Sequence, residues 1–307
     1  MILYLILCLI LAVVFGGSYY AYRVAFYATK SEGDKVPSIS GPEFDPYREE
    51  IRRVYRKLKE MPFEEVSIRS REGLTLSGKY YHVADDAPVA LCFHGYRSSS
   101  LIDFCGGSEL CFELGQNVLL VDQRAHGKSG GRTITFGIRE RQDLLCWIDY
   151  ILERFGQNAK IILYGVSMGG ATVLMASELD LPQNVKCIIA DCPYSAPLDI
   201  ILHVGKNTML PHFLIKPFVI LGAKIYGGFD IRESDALRAV KNTKIPILLI
   251  HGEADSFVPC SMSHSIAASA GKKVSLHTFP NANHAISFLV DSSRYRKLVT
   301  DFLAHVL

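Results

Sequence analysis

The sequence has almost no net charge. Its 307 residues contain 33 lysines and arginines against 31 aspartates and glutamates, a formal net charge of +2. This balance creates no extended field of one sign, so nucleic acid is a poor candidate for a partner. Extensive disorder is also disfavoured, because 49% of the residues are hydrophobic and 21% are charged, as in ordinary globular chains. We therefore expect a folded protein without a nucleic-acid partner.

The cysteine spacing of a metal or redox site is also missing. None of the eight cysteines belongs to a CxxC pair, so neither a zinc site nor a thioredoxin-type site has support. Several cysteines, among them Cys92 and Cys187, lie inside apolar runs, as free thiols do when they pack as small hydrophobes. The sequence therefore predicts reduced core thiols, which favours a reducing compartment.

Charged side chains are absent from the first 22 residues, and the first one is Arg23. Residues 1–15 are almost purely aliphatic, and about 20 apolar residues suffice to span a bilayer as a helix. Glycines and tyrosines then extend to Tyr22, as in an interfacial belt. The pattern predicts a transmembrane anchor over residues 1–22. A linker rich in Gly, Pro and Ser should follow over residues 23–42.

A cleaved secretory signal is the alternative for this segment. Such a signal usually has basic residues before its apolar run and a small-x-small site after it, and this sequence has neither in clear form. A retained anchor is therefore the preferred interpretation. The basic residues Arg23, Lys30 and Lys35 follow the span, so the positive-inside rule places the C-terminal side in the cytoplasm.

Residues 44–61 show apolar positions at steps of three and four, which predicts an amphipathic helix. Its other face is rich in arginine and lysine. Beside a membrane anchor this face has two interpretations: a contact with anionic lipid, or a solvated surface on a helix that packs against the domain.

From residue 63 onward, short apolar runs alternate with helical patterns, which predicts a parallel α/β sheet in one domain over residues 43–307. The later runs are continuously apolar, as in central strands covered on both faces. The first two alternate more and lie close together, which indicates an antiparallel pair at one edge. The eight predicted strands cover 64–69, 74–82, 88–93, 117–122, 161–164, 186–191, 246–251 and 274–279. The helices that follow residue 63 are predicted over 100–114, 138–155, 168–179, 261–270 and 291–306.

The region from about 194 to 240 interrupts this alternation. It is apolar and irregular, and it is too long for a plain connection between two strands. We interpret it as a lid over the substrate entrance, with an ordinary pair of connecting helices as the alternative.

A candidate nucleophile follows the 161–164 strand. Gly165, Ser167 and Gly169 form a G-x-S-x-G pattern directly before a helical segment. A serine on such a tight strand-to-helix turn needs neighbours without bulk. It also lies at a helix N-terminus, where N–H groups favour developing negative charge. We therefore predict that Ser167 is the nucleophile.

A nucleophilic serine needs a base, and the base needs an orienting carboxylate. Asp255 follows the 246–251 strand and His284 follows the 274–279 strand, at the end of the sheet where active sites of open α/β folds lie. We predict His284 as the base and Asp255 as the acid. Asp191 and Glu253 remain alternatives for the acid, and His126 for the base. His251 and His277 lie within strands or at their ends and are interpreted as structural.

The oxyanion hole needs two N–H donors. Met168, directly after the nucleophile, should supply one. The other should come from the loop after the 88–93 strand, where we choose the Tyr96 N–H because Gly95 lets the backbone approach the substrate. The side chain of Tyr96 is then free to line the pocket.

These motifs resemble the α/β-hydrolase superfamily over residues 63–307. The matching set, in order, is His94-Gly95, Asp122-x-Arg124-x-His126-Gly127-x-Ser129, Gly165-x-Ser167-x-Gly169, His251-Gly252-x-x-Asp255-x-x-Val258-Pro259 and Asn283-His284. The resemblance implies an α/β-hydrolase fold and triad roles for Ser167, Asp255 and His284. A compact branch with a short lid is the most similar one, and it resembles membrane-tethered esterases, acyl-thioesterases and lysophospholipases.

The expected chemistry is hydrolysis of an ester or thioester through an acyl-enzyme, without metal or organic cofactor. The substrate should be a small or acylated molecule, for instance a lipid. Relatives that cleave halides or epoxides use an aspartate at the elbow, so Ser167 argues against both. A peptidase of the same fold and a non-catalytic binding protein remain the alternatives.

Overall fold

The computed structural model describes residues 1–28, 42–207 and 212–307. Within them the chain forms one eight-stranded sheet with helices around it. The strands are β1 (Glu64–Arg69), β2 (Thr75–Tyr81), β3 (Val89–Phe93), β4 (Asn117–Asp122), β5 (Ile161–Val166), β6 (Val185–Asp191), β7 (Ile247–Gly252) and β8 (Val274–Phe279). The α-helices are α1 (Ile2–Ala25), α2 (Arg48–Glu60), α3 (Ser100–Asp103), α4 (Cys105–Glu113), α5 (Glu140–Phe155), α6 (Met168–Ala176), α7 (Pro197–Val204), α8 (His212–Ile225), α9 (Ala236–Ala239), α10 (Cys260–Ala270), α11 (Ser287–Val290) and α12 (Ser292–Val306). Short 3₁₀ helices lie at Pro42–Tyr47, Gly205–Asn207 and Gly271–Lys273.

The order of strands across the sheet is β1-β2-β4-β3-β5-β6-β7-β8. The β1–β2 and β2–β4 pairs are antiparallel, and every later pair is parallel. The predicted mostly parallel sheet with an antiparallel edge is therefore confirmed. Its carboxyl ends bring the segments after β3, β5, β6, β7 and β8 to one side of the sheet.

The sheet separates two apolar layers. On β3, Leu91 packs into one layer with α5 and α6, and the next residue, Cys92, packs into the other with α2, α4 and α12. Strands β3, β4 and β7 are buried along their whole length, because helices cover both of their faces.

Most predicted strands and helices agree with the structure within one or two residues. The helix predicted over 168–179 ends at Ala176, and the helix predicted over 44–61 begins as an α-helix only at Arg48, after a 3₁₀ helix. Two further differences concern α3–α4 and β5. The helix predicted over 100–114 is divided at Phe104 into α3 and α4, and the consecutive glycines Gly106 and Gly107 are poor helix formers at that point. Strand β5 continues to Val166 instead of ending at 164, so the elbow follows it without a connecting loop.

Helix α2 buries its apolar residues Ile51, Val54, Tyr55 and Leu58 against the second layer. Much of its basic face is paired with carboxylates: Arg52 with Glu49, Arg53 with Glu50, and Lys57 with Glu109. This arrangement favours the solvated-face interpretation of the helix.

The N-terminal helix is longer than the predicted anchor. It continues to Ala25, and Phe26–Ala28 then lie against the domain, with Phe26 fully buried. The Tyr27 backbone forms an antiparallel bridge with Thr133. Residues 23–28 of the predicted linker over 23–42 therefore belong to the end of the helix and its packing on the domain, and residues 29–41 lie outside the described residues.

The predicted lid region, about 194–240, contains α7, α8 and α9, with residues 208–211 outside the described part. Ile200, Val219 and Ala223 share one buried cluster with Met168, the residue after the candidate nucleophile. The segment therefore packs against the end of the sheet that carries the candidate site.

Candidate active site

Ser167 occupies a strained turn between β5 and α6. Its φ of 53° and ψ of −115° lie outside the regions that non-glycine residues normally adopt. The neighbouring glycines make this turn possible: a Cβ on Gly165 would lie 2.3 Å from the Gly169 oxygen, and a Cβ on Gly169 would lie 1.8 Å from the Phe93 oxygen. The turn places Ser167 directly before the first turn of α6, as the N-cap residue of that helix.

His284 lies in the loop after β8, beside this serine. Its Nε2 is 3.0 Å from the Ser167 Oγ, and its Nδ1 is 2.7 Å from the Asp255 Oδ2. The first distance is within hydrogen-bond reach of a nucleophile and its base, and the second is within that of the base and the carboxylate that orients it. The structure thus brings together the three residues that the sequence nominated, from three different loops.

Asp255 is held by backbone groups as well as by histidine. Its Oδ1 accepts hydrogen bonds from the N–H groups of Phe257 and Val258, at 2.9 and 2.8 Å. Burial would raise the pKa of this carboxyl, but hydrogen bonds from His251 and His284 outweigh it and bring the pKa well below the usual range. Asp255 is therefore a carboxylate that remains charged and can stabilise a protonated His284.

His251 has a part in the site that its strand position did not reveal. Its Nε2 lies 3.2 Å from the Asp255 Oδ2 and 2.9 Å from the Val258 oxygen, and its Nδ1 lies 2.7 Å from the Ser263 hydroxyl. The Asp255 carboxylate is thus fixed between two imidazoles. The His-Gly-x-x-Asp spacing was the available signal, but spacing alone does not show that the His251 ring contacts the Asp255 carboxylate.

The loop after β3 leaves one N–H group without an acceptor in the described part of the chain. The Gly95 N–H donates to the Asp103 carboxylate at 2.6 Å, and the Arg97 N–H donates to His126 Nε2 at 3.0 Å. Among the described residues, the structure gives the Tyr96 N–H no acceptor. The Met168 N–H lies in the first turn of α6, where N–H groups have no intrahelical partner. These are the two groups predicted as oxyanion donors.

Two neutral histidines fix this loop. His94 Nε2 accepts from the Gln123 N–H at 3.1 Å, and burial lowers the pKa of His94 to about 3. His126 Nδ1 lies 2.9 Å from the Arg124 oxygen, and burial lowers its pKa as well. Because His126 is used in this way, it does not act as the base that was kept as an alternative.

In the described part of the chain, neither alternative acid is hydrogen-bonded to His284. Glu253 accepts a hydrogen bond from the Thr278 hydroxyl on the exposed side of the sheet. Asp191 is buried behind the serine, where the Tyr295 hydroxyl donates to its Oδ2 at 3.1 Å. Its Oδ1 has no hydrogen-bond partner among the described residues, and burial raises the pKa of Asp191 to about 6.

Cys192 is a neighbour of the site that sequence reasoning missed. Its Sγ lies 4.0 Å from the His284 Nε2, because the residue follows β6 directly in the left-handed region, with φ of 44°. Cys192, Asp255 and His284 bring potential metal-ligand atoms within 4.8 Å of one another. Burial raises the pKa of the Cys192 thiol well above its usual value, and the other two groups are hydrogen-bonded to each other. The donor set therefore fits proton transfer better than a metal ion.

The chain matches two families over consecutive stretches. Residues 88–214 match the family described as alpha/beta hydrolase fold, and residues 217–301 match the dienelactone hydrolase family. Together the two matches include the elbow, the acid and the histidine.

Several known proteins resemble the whole chain or most of it. The uncharacterized protein YqkD of Bacillus subtilis is 27% identical over 299 residues, which cover 96% of this chain and 94% of YqkD. Protein bem46 of Schizosaccharomyces pombe is 27% identical over 80% of this chain and 77% of its own length. The uncharacterized membrane protein YNL320W of Saccharomyces cerevisiae is 26% identical, over 62% of each chain.

Among solved structures, the Pyrococcus furiosus esterase Pf2001 superposes with a TM-score of 0.67 at 24% identity, over 91% of this chain and 99% of that one. At this identity the likeness shows the fold. The sheet has eight strands, a serine lies at the elbow, and two consecutive stretches match hydrolase families. This chain therefore belongs to the α/β-hydrolase superfamily, among the members that are hydrolases.

Proposed function

We propose that the protein is a serine hydrolase that cleaves a carboxylic ester or thioester through an acyl-enzyme. The observation that carries the proposal is the continuous hydrogen-bonded line from Ser167 through His284 to Asp255, with distances of 3.0 and 2.7 Å. The structural neighbour from Pyrococcus furiosus is an esterase, which adds support.

In the first step, His284 Nε2 takes the proton from the Ser167 hydroxyl as the oxygen attacks the carbonyl carbon. The negative charge that develops on the carbonyl oxygen is stabilised by the N–H groups of Tyr96 and Met168. Asp255 stabilises the imidazolium and keeps Nε2 directed to the serine. His284 then gives the proton to the leaving alcohol or thiol. In the second step it activates a water molecule that releases the acid.

The surroundings of the nucleophile favour an acyl group over a peptide. Met168 packs in an apolar cluster with Ile200 and Val219 of the helices between β6 and β7. A peptidase would use carboxylates there to bind a substrate amine, but Asp230, Glu233 and Asp235 are paired with arginines of the same protein, and Asp199 is exposed. The unbroken hydrogen bonds from Ser167 through His284 to Asp255 argue against a binding protein without catalytic activity.

The proposal includes a membrane anchor formed by α1. This helix is long and apolar enough to span a bilayer, and only 6% of its apolar window is buried, unlike the core helix of a soluble protein. The relative named as a membrane protein agrees with this assignment. The proposal puts the catalytic domain on the cytoplasmic side, because the basic residues Arg23, Lys30 and Lys35 lie at the end of α1 or follow it in the sequence.

The test is labelling of the full-length protein, purified in mild detergent, with a fluorophosphonate probe that reacts with activated serines. We expect the wild type to be labelled and the Ser167→Ala variant to remain unlabelled. Ser265→Ala, an exposed serine on α10, is the matched control and should label like the wild type. A folded wild type that resists the probe, or a Ser167→Ala variant that is still labelled, would contradict the proposal.

A further inference from the structure

The last turns of α1 pack closely against α8. A Cβ on Gly222 would lie 2.6 Å from the Ser18 oxygen, and a Cβ on Gly17 would lie 2.7 Å from the Phe218 ring. Ser18 is fully buried, and the Tyr226 hydroxyl donates to the Phe15 oxygen at 3.1 Å. Small residues at such a crossing let two helices approach closely inside or beside a membrane. Because α1 fills the space above Gly222, its removal by a signal peptidase would uncover this face of α8.

The end of α1 is also bound to the loop of the candidate oxyanion hole. The Tyr96 hydroxyl donates to the Ala25 oxygen at 2.8 Å, and the Arg97 guanidinium donates to the Val24 oxygen at 2.8 Å. Phe26 is buried between Phe136 and other aromatic rings. The anchor is thus docked on the domain, beside the residue whose N–H we assign to the oxyanion.

The contacts of α1 with α8 and the turn after it advance along both segments, from Gly17 beside Phe218 through Tyr22 beside Gly222 to Phe26 beside Phe229, while the long Tyr226 side chain reaches back to the Phe15 oxygen. The two helices therefore run in the same sense, and the beginning of α8 points toward the apolar N-terminal part of α1. There the large apolar side chains are exposed: Phe213 by 73% and Leu214 by 44%.

The composition of α8 fits a membrane surface. The helix has 14 residues, which is too short to span a bilayer, so only its beginning would enter the headgroup region beside α1. It has no acidic residue, and its two lysines, Lys216 and Lys224, suit the anionic headgroups of a bilayer. Its opposite side carries Val219 and Ala223 into the buried cluster that contains Met168.

We propose that α8 is a membrane-contacting helix that inserts Phe213 and Leu214 into the headgroup region of the bilayer spanned by α1. Because α8 also packs on the buried cluster that contains Met168 and Ile200, an acyl ester dissolved in the membrane would enter the site from the lipid side. The choice of substrate rests on the proposed ester hydrolysis, whereas the membrane contact of α8 does not.

The contact is tested by tryptophan fluorescence of the full-length protein in phosphatidylcholine–phosphatidylglycerol vesicles. The one native tryptophan, Trp147, is buried in the core, so it gives a constant background. A tryptophan introduced by Phe213→Trp should emit at shorter wavelength and be quenched by lipids brominated on their acyl chains. The matched control is Val83→Trp, at an exposed position of the domain, which should not be quenched. Water-like, unquenched emission from Phe213→Trp would overturn the proposal.

A second measurement separates the contact from the chemistry. The double variant Phe213→Ser, Leu214→Ser should hydrolyse a palmitoyl ester dissolved in vesicles about tenfold more slowly, since it loses two inserted apolar side chains. Its rate on a short, water-soluble ester should stay within about twofold of the wild type. Quenching without hydrolysis of either ester would refute the proposed function alone. Hydrolysis of both esters unaffected by the double variant would refute the delivery of substrate from the lipid.

Discussion

The buried Asp191 carboxyl should make stability depend on pH, and replacing it with asparagine should remove that dependence. Asp191 lies at the end of β6, with one oxygen bonded to the Tyr295 hydroxyl and the other without a partner among the described residues. Burial disfavours its charged form and raises the pKa from 3.8 to about 6. The folded state thus binds a proton over a pH range in which the unfolded chain has already lost it.

The sign and size of the effect follow from linkage. Between pH 4 and 6 the folded state holds more protons than the unfolded state, so the free energy of unfolding decreases as the pH rises. A rise in pKa from 3.8 to about 6 corresponds to about 3 kcal/mol, lost progressively and constant above about pH 7. About 2 kcal/mol of this loss falls between pH 4.5 and 8.

The assay is urea unfolding of the full-length wild type and Asp191→Asn in the same detergent at pH 4.5 and 8. Asparagine changes the local hydrogen bonds by an amount that does not depend on pH, so only the difference between the two pH values is diagnostic. We expect Asp191→Asn to gain about 2 kcal/mol relative to the wild type over this interval. A stability difference that is equal at both pH values would refute the reasoning, and a change in the opposite direction would show that the folded state stabilises the charged carboxyl.

Two further predictions concern the site and the anchor. Asp255→Asn should lower kcat/KM for a short ester about 10⁴-fold, because the amide neither stabilises the imidazolium nor fixes its tautomer. Glu253→Gln is its control, and equal rates for the two variants would exclude Asp255 as the acid. Gly222→Leu should destabilise the fold by about 1–3 kcal/mol and lower Tm in detergent, because its side chain meets the Ser18 backbone. Gly16→Leu, with open space around its Cβ, should leave Tm unchanged, and equal Tm values for both variants would contradict the close packing of α1 on α8.

The sheet was predictable because its signal is local. Each central strand is a continuous apolar run, and the segments that follow the strands had to meet at one edge whatever the details of packing. Ser167 was predictable for a similar reason, since a strained turn admits only glycine at the flanking positions, and the glycines are visible in the sequence. His284 and Asp255 followed from their positions after strands, although their distances required the structure.

The unpredicted parts are those that depend on contacts between distant segments. His251 was interpreted as a strand residue, and only the fold shows that its ring returns to Asp255 at 3.2 Å. Cys192 had no motif of its own, and its position beside His284 arises because β6 and β8 end on the same side of the sheet. Neither relation leaves a periodic or spaced pattern in the chain.

The N-terminal helix shows why such contacts change the functional interpretation. Composition identifies α1 as an apolar helix. From composition alone, the helix would be interpreted as a tether that a flexible linker joins to an independent catalytic domain. In the structure Gly17 and Gly222, 205 positions apart in the sequence, allow α1 and α8 to approach, and Tyr96 bonds to the end of α1 at 2.8 Å. In the membrane-bound form that we propose, a helix held in this way would restrict how the domain tilts on the bilayer. The entrance to the serine would then keep a fixed relation to the bilayer, which would suit the proposed hydrolysis of substrates that the bilayer itself supplies.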